Sequence, residues 1–385
     1  MQGGELADRI IQQARRYGVE LLSAVGVRGM VKANPEAPRG VEVLPLELKI
    51  LGEASHPLPL DPTGRTPADL DVRLKARVLD LRRPECRAIF LIRHEIINEV
   101  RRFLVDKGYI EIHTPRIIAA AAEGGAALFP IDYFDSKAYL AQSPELYKEQ
   151  LITVFEKVFE VGPFFRAEES HTRRHLNEFV SIDVEEAFAT MEDVMKLQEE
   201  MLARALSRVG EKRRRELETL GVTLPSPSPP FKRYTYDEVL EELKGAGQSL
   251  EWGEDIPTQA YRKLGELHPN EFYFITDWPS KVRPFYIKPK REDPRLSHAF
   301  DLMYEWIELA SGGSRVDRKE VFIERLREQG LNPASFEFYL KVFDYGMPPH
   351  AGWGLGLDRL VMALLRRENI REVVFFPRDR FLLVP

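Results

Sequence analysis

Several charged side chains have the types and spacing of a site for a polyanion. Arg166 and Glu168 lie two residues apart in "FFRAEE", so they share one face of a strand, and the following loop carries Arg174 and His175. Arginine binds phosphate through a planar fork, and a carboxylate accepts a hydrogen bond from an exocyclic amine. The set suits a ligand that combines phosphates with an amine-bearing base, although a lone Arg-x-Glu also fits an exposed salt-bridge ladder.

A second set lies in "DLMYEWIELASGGSR". Asp301 and Glu308 are seven residues apart, so a bulge or bend is needed to bring both carboxylates to one ion. Glu308 and Ser311 offer hard oxygen ligands of the kind that Mg²⁺ accepts when nucleotide phosphates complete its shell. The two glycines after Ser311 are predicted to form a tight turn that returns Arg315 to the site. A plain β-turn with surface charges fits the same residues as well as a metal-binding site does.

Three alternating glycines occur in "HAGWGLGLDRLVMALL", residues 350–365. A dinucleotide-binding loop would show G-x-G-x-x-G inside a parallel βαβ unit, with an acid about 20 residues further on. Here the spacing is G-x-G-x-G and no second unit follows. We therefore predict a strand in which Gly354 and Gly356 leave a flat floor for a ring, while Arg359 at the next helix start reaches a phosphate.

Composition narrows the class of protein. The chain has 385 residues, 44% of them hydrophobic and 30% charged, which predicts a globular protein with one large core and a smaller domain. A net charge of -6 argues against a nonspecific nucleic-acid coat, so no DNA partner is expected. Because no apolar run approaches about 18 residues, no signal peptide is visible and Cys86 is the only cysteine, we expect no membrane partner and a cytoplasmic location.

Periodicity predicts the elements that position these residues. In residues 5–16 the apolar side chains recur at helical spacing, which predicts a helix. The β-rich stretches 21–33 and 40–51 lie on either side of a predicted turn. Strand-like runs at 157–169 and 179–188 predict a long antiparallel hairpin. Strands and helices do not alternate regularly. An α+β fold with an antiparallel sheet is therefore favoured over a doubly wound parallel one.

Taken in order, these constellations resemble the three signature motifs of class II aminoacyl-tRNA synthetases. Pro115 ends the first motif, Arg166 and Glu168 belong to the second, and Gly356 and Arg359 belong to the third. From about residue 19 the chain looks most like the archaeal-type aspartyl-tRNA synthetases. The likeness is carried by segments such as "AEGGAALFPIDYF", "AQSPELYK", "FRAEESHTRRHLNEF" and "YGMPPHAGWGLGLDRL".

This resemblance implies a domain organisation. Residues 1–54 would form a partial OB-fold anticodon-binding domain, 55–74 a linker, and 75–385 a class II catalytic domain, an antiparallel sheet flanked by helices, with an insertion at about 215–290. The family's barrel begins with three strands that precede the first residues of this sequence. A truncated sequence and a true loss of anticodon reading both fit that pattern.

The resemblance also implies an activity: L-aspartate is activated with ATP and Mg²⁺ to aspartyl-adenylate and passed to the 3′ end of tRNA(Asp), with tRNA(Asn) left open as a second acceptor. A homodimer would form through residues 92–115. Two alternatives stay open, a tRNA-independent paralogue that passes the adenylate to ammonia and a non-catalytic regulatory paralogue. The arginines at 166, 174 and 359 argue against the second.

By the same resemblance, Arg166 bridges the aspartate α-carboxylate and the ATP α-phosphate, and Arg359 binds the γ-phosphate with help from Arg174 and His175. Glu168 accepts from the adenine amine, which lies between Phe179 and the glycine strand. The further implied ATP-binding positions are Leu176, Glu308, Gly356, Leu357 and Asp358. The implied metal ligands are Glu308, Ser311 and Asp301, and the catalytic residues are Arg166, Arg359 and Glu308.

For the amino acid, the resemblance places Lys148 and Arg315 against the side-chain carboxylate of aspartate and Glu123 over its ammonium group. Glu145 stands where that family has glutamine; it can hold the ammonium but also neutralise part of the Lys148 charge. The further implied aspartate-binding positions are Arg166, Asp183 and Ser311.

Overall fold

The structure is a computed structural model that describes residues 22–37, 40–119, 128–169 and 172–384. The helix expected at 5–16 and the expected ligand-binding Glu123 lie outside these residues. The chain forms two compact units, residues 1–61 and 62–385. Their boundary falls inside the 55–74 stretch, and the first helix of the second unit begins in that stretch as well.

The described part of the first unit is an antiparallel hairpin of β1 (Ala24–Ala33) and β2 (Val41–Gly52). Asn34 starts the connecting turn, because its side-chain oxygen accepts from the backbone N–H of Glu36. The ladder shifts register beside Gly29, where a Cβ atom would lie 2.2 Å from the Leu44 carbonyl oxygen. Only glycine fits that close approach, as is usual at a bulge.

The second unit carries the remaining elements. Its helices are α1 (Leu70–Lys75), α2 (Arg77–Asp80), α3 (Pro84–Asp106), α4 (Glu145–Phe155), α5 (Met191–Lys212), α6 (Arg214–Leu220), α7 (Tyr236–Gly245), α8 (Thr258–Leu267), α9 (Lys319–Glu328), α10 (Glu337–Phe343) and α11 (Leu357–Leu364), with 3₁₀ turns at Ser280–Val282, Pro333–Phe336 and Ile370–Val373. Its strands are β3 (Ile110–Glu111), β4 (Ile117–Ile118), β5 (Pro130–Tyr133), β6 (Ser136–Leu140), β7 (Lys157–Phe165), β8 (Glu178–Ala187), β9 (Lys232–Thr235), β10 (Phe272–Thr276), β11 (Ala299–Tyr304), β12 (Ile307–Ser314) and β13 (His350–Gly356).

An eight-stranded sheet organises this unit, in the order β3-β7-β8-β13-β12-β11-β10-β9. Neighbouring strands run antiparallel except at the two ends, where β3 pairs with β7 and β9 with β10 in parallel. A smaller antiparallel sheet has the order β4-β6-β5. The α+β prediction with an antiparallel sheet is confirmed.

Apolar layers cover both faces of the large sheet. Along β10, Phe272 and Phe274 join the cluster formed with α3, α5 and α11, whereas Tyr273 and Ile275 join the cluster formed with α7 to α10. This alternation follows from the two-residue period of a strand. Trp353 of β13 lies fully buried in the first layer and donates from its indole N–H to the Val194 carbonyl oxygen of α5 at 3.1 Å.

Local signals fix several helix ends. Thr190 and Asp193 form the expected capping box at the start of α5, each side chain receiving a hydrogen bond from the other residue's backbone N–H. Gly108 follows the end of α3 with a φ of +85°, the left-handed conformation that glycine adopts at low cost. In the described parts of the chain, none of the helices combines the length and apolar character that crossing a membrane requires.

The predicted glycine turn after Ser311 is wrong. The segment forms two strands, β11 and β12, joined by a turn at Glu305, whose φ is +53°. Gly312 and Gly313 lie inside β12, and a Cβ atom on Gly312 would come within 2.5 Å of the Gly352 carbonyl oxygen. The glycines therefore permit the close packing of β12 on its neighbours rather than a change in chain direction.

Candidate active site

A cavity of about 310 Å³ opens over the middle of the large sheet, within the second unit. The strand ends of β7, β8, β12 and β13 and the first turns of α4 and α11 converge on it. The residues singled out from the sequence that line it are Glu145, Arg166, Glu168, Arg174, His175, Leu176, Phe179, Asp183, Glu308, Ser311, Arg315, Gly354, Gly356, Asp358 and Arg359.

One end of the cavity is rich in arginine. The Arg166 guanidinium lies 5.3 Å from the ring centre of Phe179, and that of Arg174 lies 4.8 Å from Trp306 and donates to Thr258 Oγ1 at 2.7 Å. Arg359, in the first turn of α11, lies 3.5 Å from a carboxylate oxygen of Glu308. Three guanidinium groups around one cavity create a site for a polyanion.

His175 stands among these cations as a neutral ring. Burial, followed by the positive charge of Arg359, lowers the pKa of His175 below its usual value. The Thr172 hydroxyl lies 2.6 Å from His175 Nδ1 and orients the imidazole. Burial and Arg359 likewise lower the pKa of Arg174. An incoming polyanion would relieve the repulsion between these groups.

Asn177 positions the strand end that carries Arg166 and Glu168. Its side-chain N–H groups donate to the carbonyl oxygens of Arg166 at 2.8 Å and Glu168 at 3.2 Å. The backbone of Arg166 donates in turn to the Asn177 carbonyl oxygen. Sequence reasoning missed Asn177, because an asparagine beside a polar loop carries no signal of this role.

A β-bulge arranges the acidic residues of β11 and β12. Met303 pairs with Glu308 but Leu302 pairs with Ala310, so Leu309 is the extra residue of the bulged strand. This places Glu308 on the same face as Ser311, and Ser311 pairs directly with Asp301. The bulge that the seven-residue spacing required is present.

Asp301 is engaged by a partner that sequence analysis missed. Arg283 donates to both of its carboxylate oxygens, at 3.1 and 2.6 Å, and stacks 3.8 Å from the ring centre of Trp278. Burial, opposed by Arg283, raises the pKa of Asp301 to about 6. Asp301 therefore lies in an ion pair beneath the cavity, whereas Glu308 faces the cavity itself.

The oxygen atoms at this site suit Mg²⁺ only if a bound phosphate ligand completes the coordination shell. Glu308 is partly exposed and lies beside Ser311, and Mg²⁺ uses one or two carboxylates together with water and phosphate oxygens. Asp301 joins such a shell only where Arg283 releases it. Within residues 22–37, 40–119, 128–169 and 172–384, no cluster of three or more His, Cys, Asp and Glu side chains forms a metal cage.

The other end of the cavity holds a buried ion network. Lys148 Nζ lies 2.8 Å from Glu145, 3.4 Å from Glu185 and 3.5 Å from Asp183. Arg315 lies 2.7 Å from Glu145 and 3.1 Å from Glu185. Both cations are at most 2% exposed. Burial opposes their charged forms, but the surrounding carboxylates outweigh it and raise the pKa of Lys148 and of Arg315.

Burial raises the pKa of Asp183 to about 6, although Lys148 opposes the shift. Glu145 behaves differently, because Arg315 and Lys148 outweigh its burial and hold the pKa of its carboxyl below the usual value. Asp183 and Glu185 alternate along β8 and therefore share a face. Sequence reasoning missed Glu185, although the D-x-E spacing in "SIDVEEAF" was the available signal.

The glycines of β13 make room for these acids. Gly352 pairs with Glu185 and Gly354 with Asp183. A Cβ atom at Gly352 would lie 2.1 Å from Glu185 Oε2, and one at Gly354 would lie 2.9 Å from Asp183 Oδ1. Gly356 meets only the Arg359 side chain, at 3.7 Å. Gly352 and Gly354 thus give clearance to carboxylates, and Gly356 borders the arginine end.

Two of the expected ATP-binding residues have structural contacts. The Leu357 side chain is fully buried in the apolar layer beneath α11. Asp358 accepts from Arg93 of α3 at 2.6 Å and from the Val180 backbone N–H at 2.9 Å. These contacts fix α11 against β8 and thereby aim Arg359 at the cavity.

Comparison with known proteins places this fold and site in one class. The family described as tRNA synthetases class II (D, K and N) matches residues 69–380. The Aspartate--tRNA(Asp/Asn) ligase of Methanopyrus kandleri is 54% identical over 365 residues, covering 94% of this chain and 84% of the relative. The Aspartate--tRNA(Asp) ligase of Pyrococcus horikoshii is 51% identical, covering 93% and 83%.

Solved structures agree with this placement. Asparaginyl-tRNA synthetase from Pyrococcus horikoshii complexed with asparaginyl-adenylate superposes with a TM-score of 0.90 at 35% identity, covering 98% of this chain and 87% of that chain. Aspartyl tRNA synthetase from Entamoeba histolytica gives a TM-score of 0.81 at 33% identity, covering 94% and 79%. The chain belongs to the class II tRNA synthetases of the D, K and N group, as its motifs indicated.

Proposed function

We propose that this chain activates L-aspartate with ATP to aspartyl-adenylate and transfers the aspartyl group to the 3′ end of tRNA(Asp). The observation that carries the proposal is one cavity with two charged ends. Three arginines suited to triphosphate line one end, and two cations suited to a side-chain carboxylate, Lys148 and Arg315, lie at the other.

Arg166 is proposed to hold the reacting groups. Arg166 follows the last residue of β7 and lines the cavity that also reaches Arg315, so it suits a contact with both the aspartate α-carboxylate and the ATP α-phosphate. The α-carboxylate is already ionised near neutral pH, so no general base is required. The chain contributes positioning and neutralisation of phosphate charge, which are the main terms in such a reaction.

Arg359, Arg174 and neutral His175 are proposed to bind the outer phosphates, with Glu168 accepting from the adenine amine. Glu308 and Ser311 are the residues that would hold Mg²⁺, which supplies charge neutralisation to the phosphates. Asp301 is proposed as a second, conditional ligand because its ion pair with Arg283 must first open.

Lys148 and Arg315 are proposed to select aspartate over asparagine. The side-chain amide of asparagine is neutral and offers these two buried cations no negative charge. Binding asparagine is therefore less favourable, because uncompensated buried charge costs free energy. The family includes asparagine and lysine enzymes as well, so this pair carries the choice of amino acid. Charging of tRNA(Asn) is a separate question that the names of the relatives leave open, because both acceptor specificities occur among them.

The test is aspartate-dependent exchange of pyrophosphate into ATP, with asparagine and lysine as competing substrates. Exchange with aspartate alone is expected. Arg359→Gln should lower kcat/KM at least about a hundredfold, since it removes a charged phosphate contact. The matched control is Arg366→Gln, two residues beyond the end of that helix, whose guanidinium donates to the side-chain oxygen of the exposed Asn270. Exchange with asparagine alone, or equal loss in both variants, would contradict the assignment.

Aminoacylation of tRNA(Asp) and tRNA(Asn) transcripts then tests the second step. Exchange without charging of either transcript would contradict the ligase proposal while leaving adenylate formation intact, and ammonia-dependent asparagine formation would then identify a tRNA-independent enzyme. The proposed homodimer is tested separately by light scattering, where a mass near twice 44.4 kDa is expected.

A further inference from the structure

The buried network at the amino-acid end holds more negative charge than its cations balance. Three carboxylates, those of Glu145, Asp183 and Glu185, surround Lys148 and Arg315. Glu145 makes the shortest ion-pair contact to each cation, 2.8 Å to Lys148 Nζ and 2.7 Å to Arg315 Nη2. The two cations are therefore paired before any ligand arrives.

Glu145 also occupies the approach to Lys148. Glu145 and Arg315 line the cavity, whereas Lys148 and Glu185 do not. A ligand in the cavity therefore meets Glu145 before it meets the Lys148 ammonium group. Glu185 also contacts both cations, at 3.4 and 3.1 Å, but from outside the cavity lining. A ligand carboxylate that is to contact both cations therefore competes with Glu145, which contacts both at shorter distances and lines the cavity.

We propose that Glu145 is an internal competitor for the side-chain carboxylate of the ligand and thereby sets the affinity for dicarboxylates. The inference rests on the proposed aspartate specificity and adds the residue that opposes it. In the free protein Glu145 holds Lys148 and Arg315, and in the complex the ligand carboxylate takes its place. An amide cannot do so, because it offers no charge in exchange.

Glu145 is not required as the acceptor for the ligand's ammonium group. Asp183 lines the same end of the cavity, and its Oδ2 atom is buried with no hydrogen-bond partner in the part of the chain that the structure describes. A buried carboxylate oxygen without a donor is a ready acceptor for an ammonium group. Removing the Glu145 charge therefore takes away the shortest ion pair of each cation and leaves the longer contacts to Glu185, without removing the ammonium site.

The experiment compares Glu145→Gln with the wild-type chain by calorimetric titration of succinate, a dicarboxylate with the carbon length of aspartate and no amino group. This titration needs no turnover. The Kd for succinate is expected to fall at least about tenfold, because one competing charge at contact distance is removed. Asparagine, a neutral isostere, should change by less than about threefold, since it cannot gain from freed cations.

Glu199→Gln is the matched control. Glu199 of α5 is a similarly buried carboxylate, but it accepts from the Phe231 backbone N–H and does not line the cavity. Its succinate Kd should stay within about threefold of wild type. Glu145→Met introduces a second uncharged side chain of similar length and must lower the Kd for succinate as much as Glu145→Gln does. An unchanged Kd for ATP in each variant shows that the cavity is intact.

An unchanged or raised succinate Kd in folded Glu145→Gln overturns the inference. A raised Kd for aspartate in the same variant also overturns it, because Glu145 would then bind the ligand's ammonium group more strongly than it opposes the side-chain carboxylate. Failure of the proposed function is distinguishable, since it appears as absent aspartate-dependent exchange in the wild-type chain whatever succinate does.

Discussion

At the scale of single residues, the charge of each group in the cavity depends on its buried neighbours. Lys148 remains a cation although it is almost fully buried, because three carboxylates surround it. Those carboxylates in turn depend on Lys148 and Arg315. Such a network is costly to break at one member, since the remaining charges lose their partners.

Lys148→Met is expected to lower the free energy of unfolding by about 3–5 kcal/mol at neutral pH, because it leaves buried carboxylates uncompensated. It should also abolish aspartate-dependent exchange. Urea unfolding measures the first effect. Lys196→Met on the exposed face of α5 is the control, expected within about 0.5 kcal/mol of wild type. A loss below about 1 kcal/mol in Lys148→Met would show that the network relaxes.

Asp183 predicts a pH dependence of aspartate binding. Burial raises the pKa of Asp183 to about 6, so its carboxyl becomes protonated as the pH falls through that value. A neutral carboxyl accepts an ammonium group less well, and the KM for aspartate should therefore rise between pH 7 and pH 5, with little change in the KM for ATP. Steady-state exchange kinetics across this range measure both.

Asp183→Asn supplies the check on that profile. The variant should show a raised KM for aspartate at all pH values and lose the dependence near pH 6, because the amide does not titrate. A variant that keeps the wild-type profile would assign the titration to another group in the network.

At the scale of elements, the site depends on how closely β8, β12 and β13 approach each other. The bulge in β12 turns Glu308 toward the cavity, and the glycines of β12 and β13 leave space for neighbouring carbonyl groups and carboxylates. Gly352 and Gly354 of β13 lie directly opposite Glu185 and Asp183 of β8. The sheet thus provides buried carboxylates without a loop.

Gly352→Ala should therefore destabilise the sheet. Its Cβ atom would lie 2.2 Å from the Val184 carbonyl oxygen, a backbone atom that cannot rotate away. The expected loss is about 3 kcal/mol in urea unfolding, which is the cost of an overpacked core. Gly210→Ala in α5 has open space around the added methyl group and should gain about 0.5–1 kcal/mol. Similar effects in both variants would contradict this packing.

At the scale of the whole molecule, every residue that lines the cavity belongs to the second unit. The described hairpin of the first unit contributes none of them. The chemistry of adenylate formation should therefore depend on the second unit alone, and the first unit should matter for tRNA.

Residues 62–385 produced alone are expected to keep aspartate-dependent exchange within about threefold of the full chain, since the cavity and both apolar layers are complete in that unit. Charging of tRNA(Asp) should fall more than exchange. Exchange kinetics and aminoacylation on the same preparation test this. Loss of exchange with retained helical content would show that the first unit supports the cavity.

The sequence by itself determined the class of the fold and most of the arginine end. Arg166, Glu168, Arg174 and Arg359 lie in motifs whose residue order and short spacing are visible in the letters. The capping box of α5 and the β7–β8 hairpin are local as well, because capping and alternation act over a few residues.

Only the tertiary structure decided how the charges pair. Arg283 reaches Asp301 from 18 residues away, Arg315 reaches Glu185 from 130, and Gly312 lies in a strand rather than a turn. These contacts join distant segments, and no local propensity encodes them. Whether Lys148 meets a ligand or Glu145 first is likewise a matter of burial and distance, which exist only once the sheet and α4 have packed together.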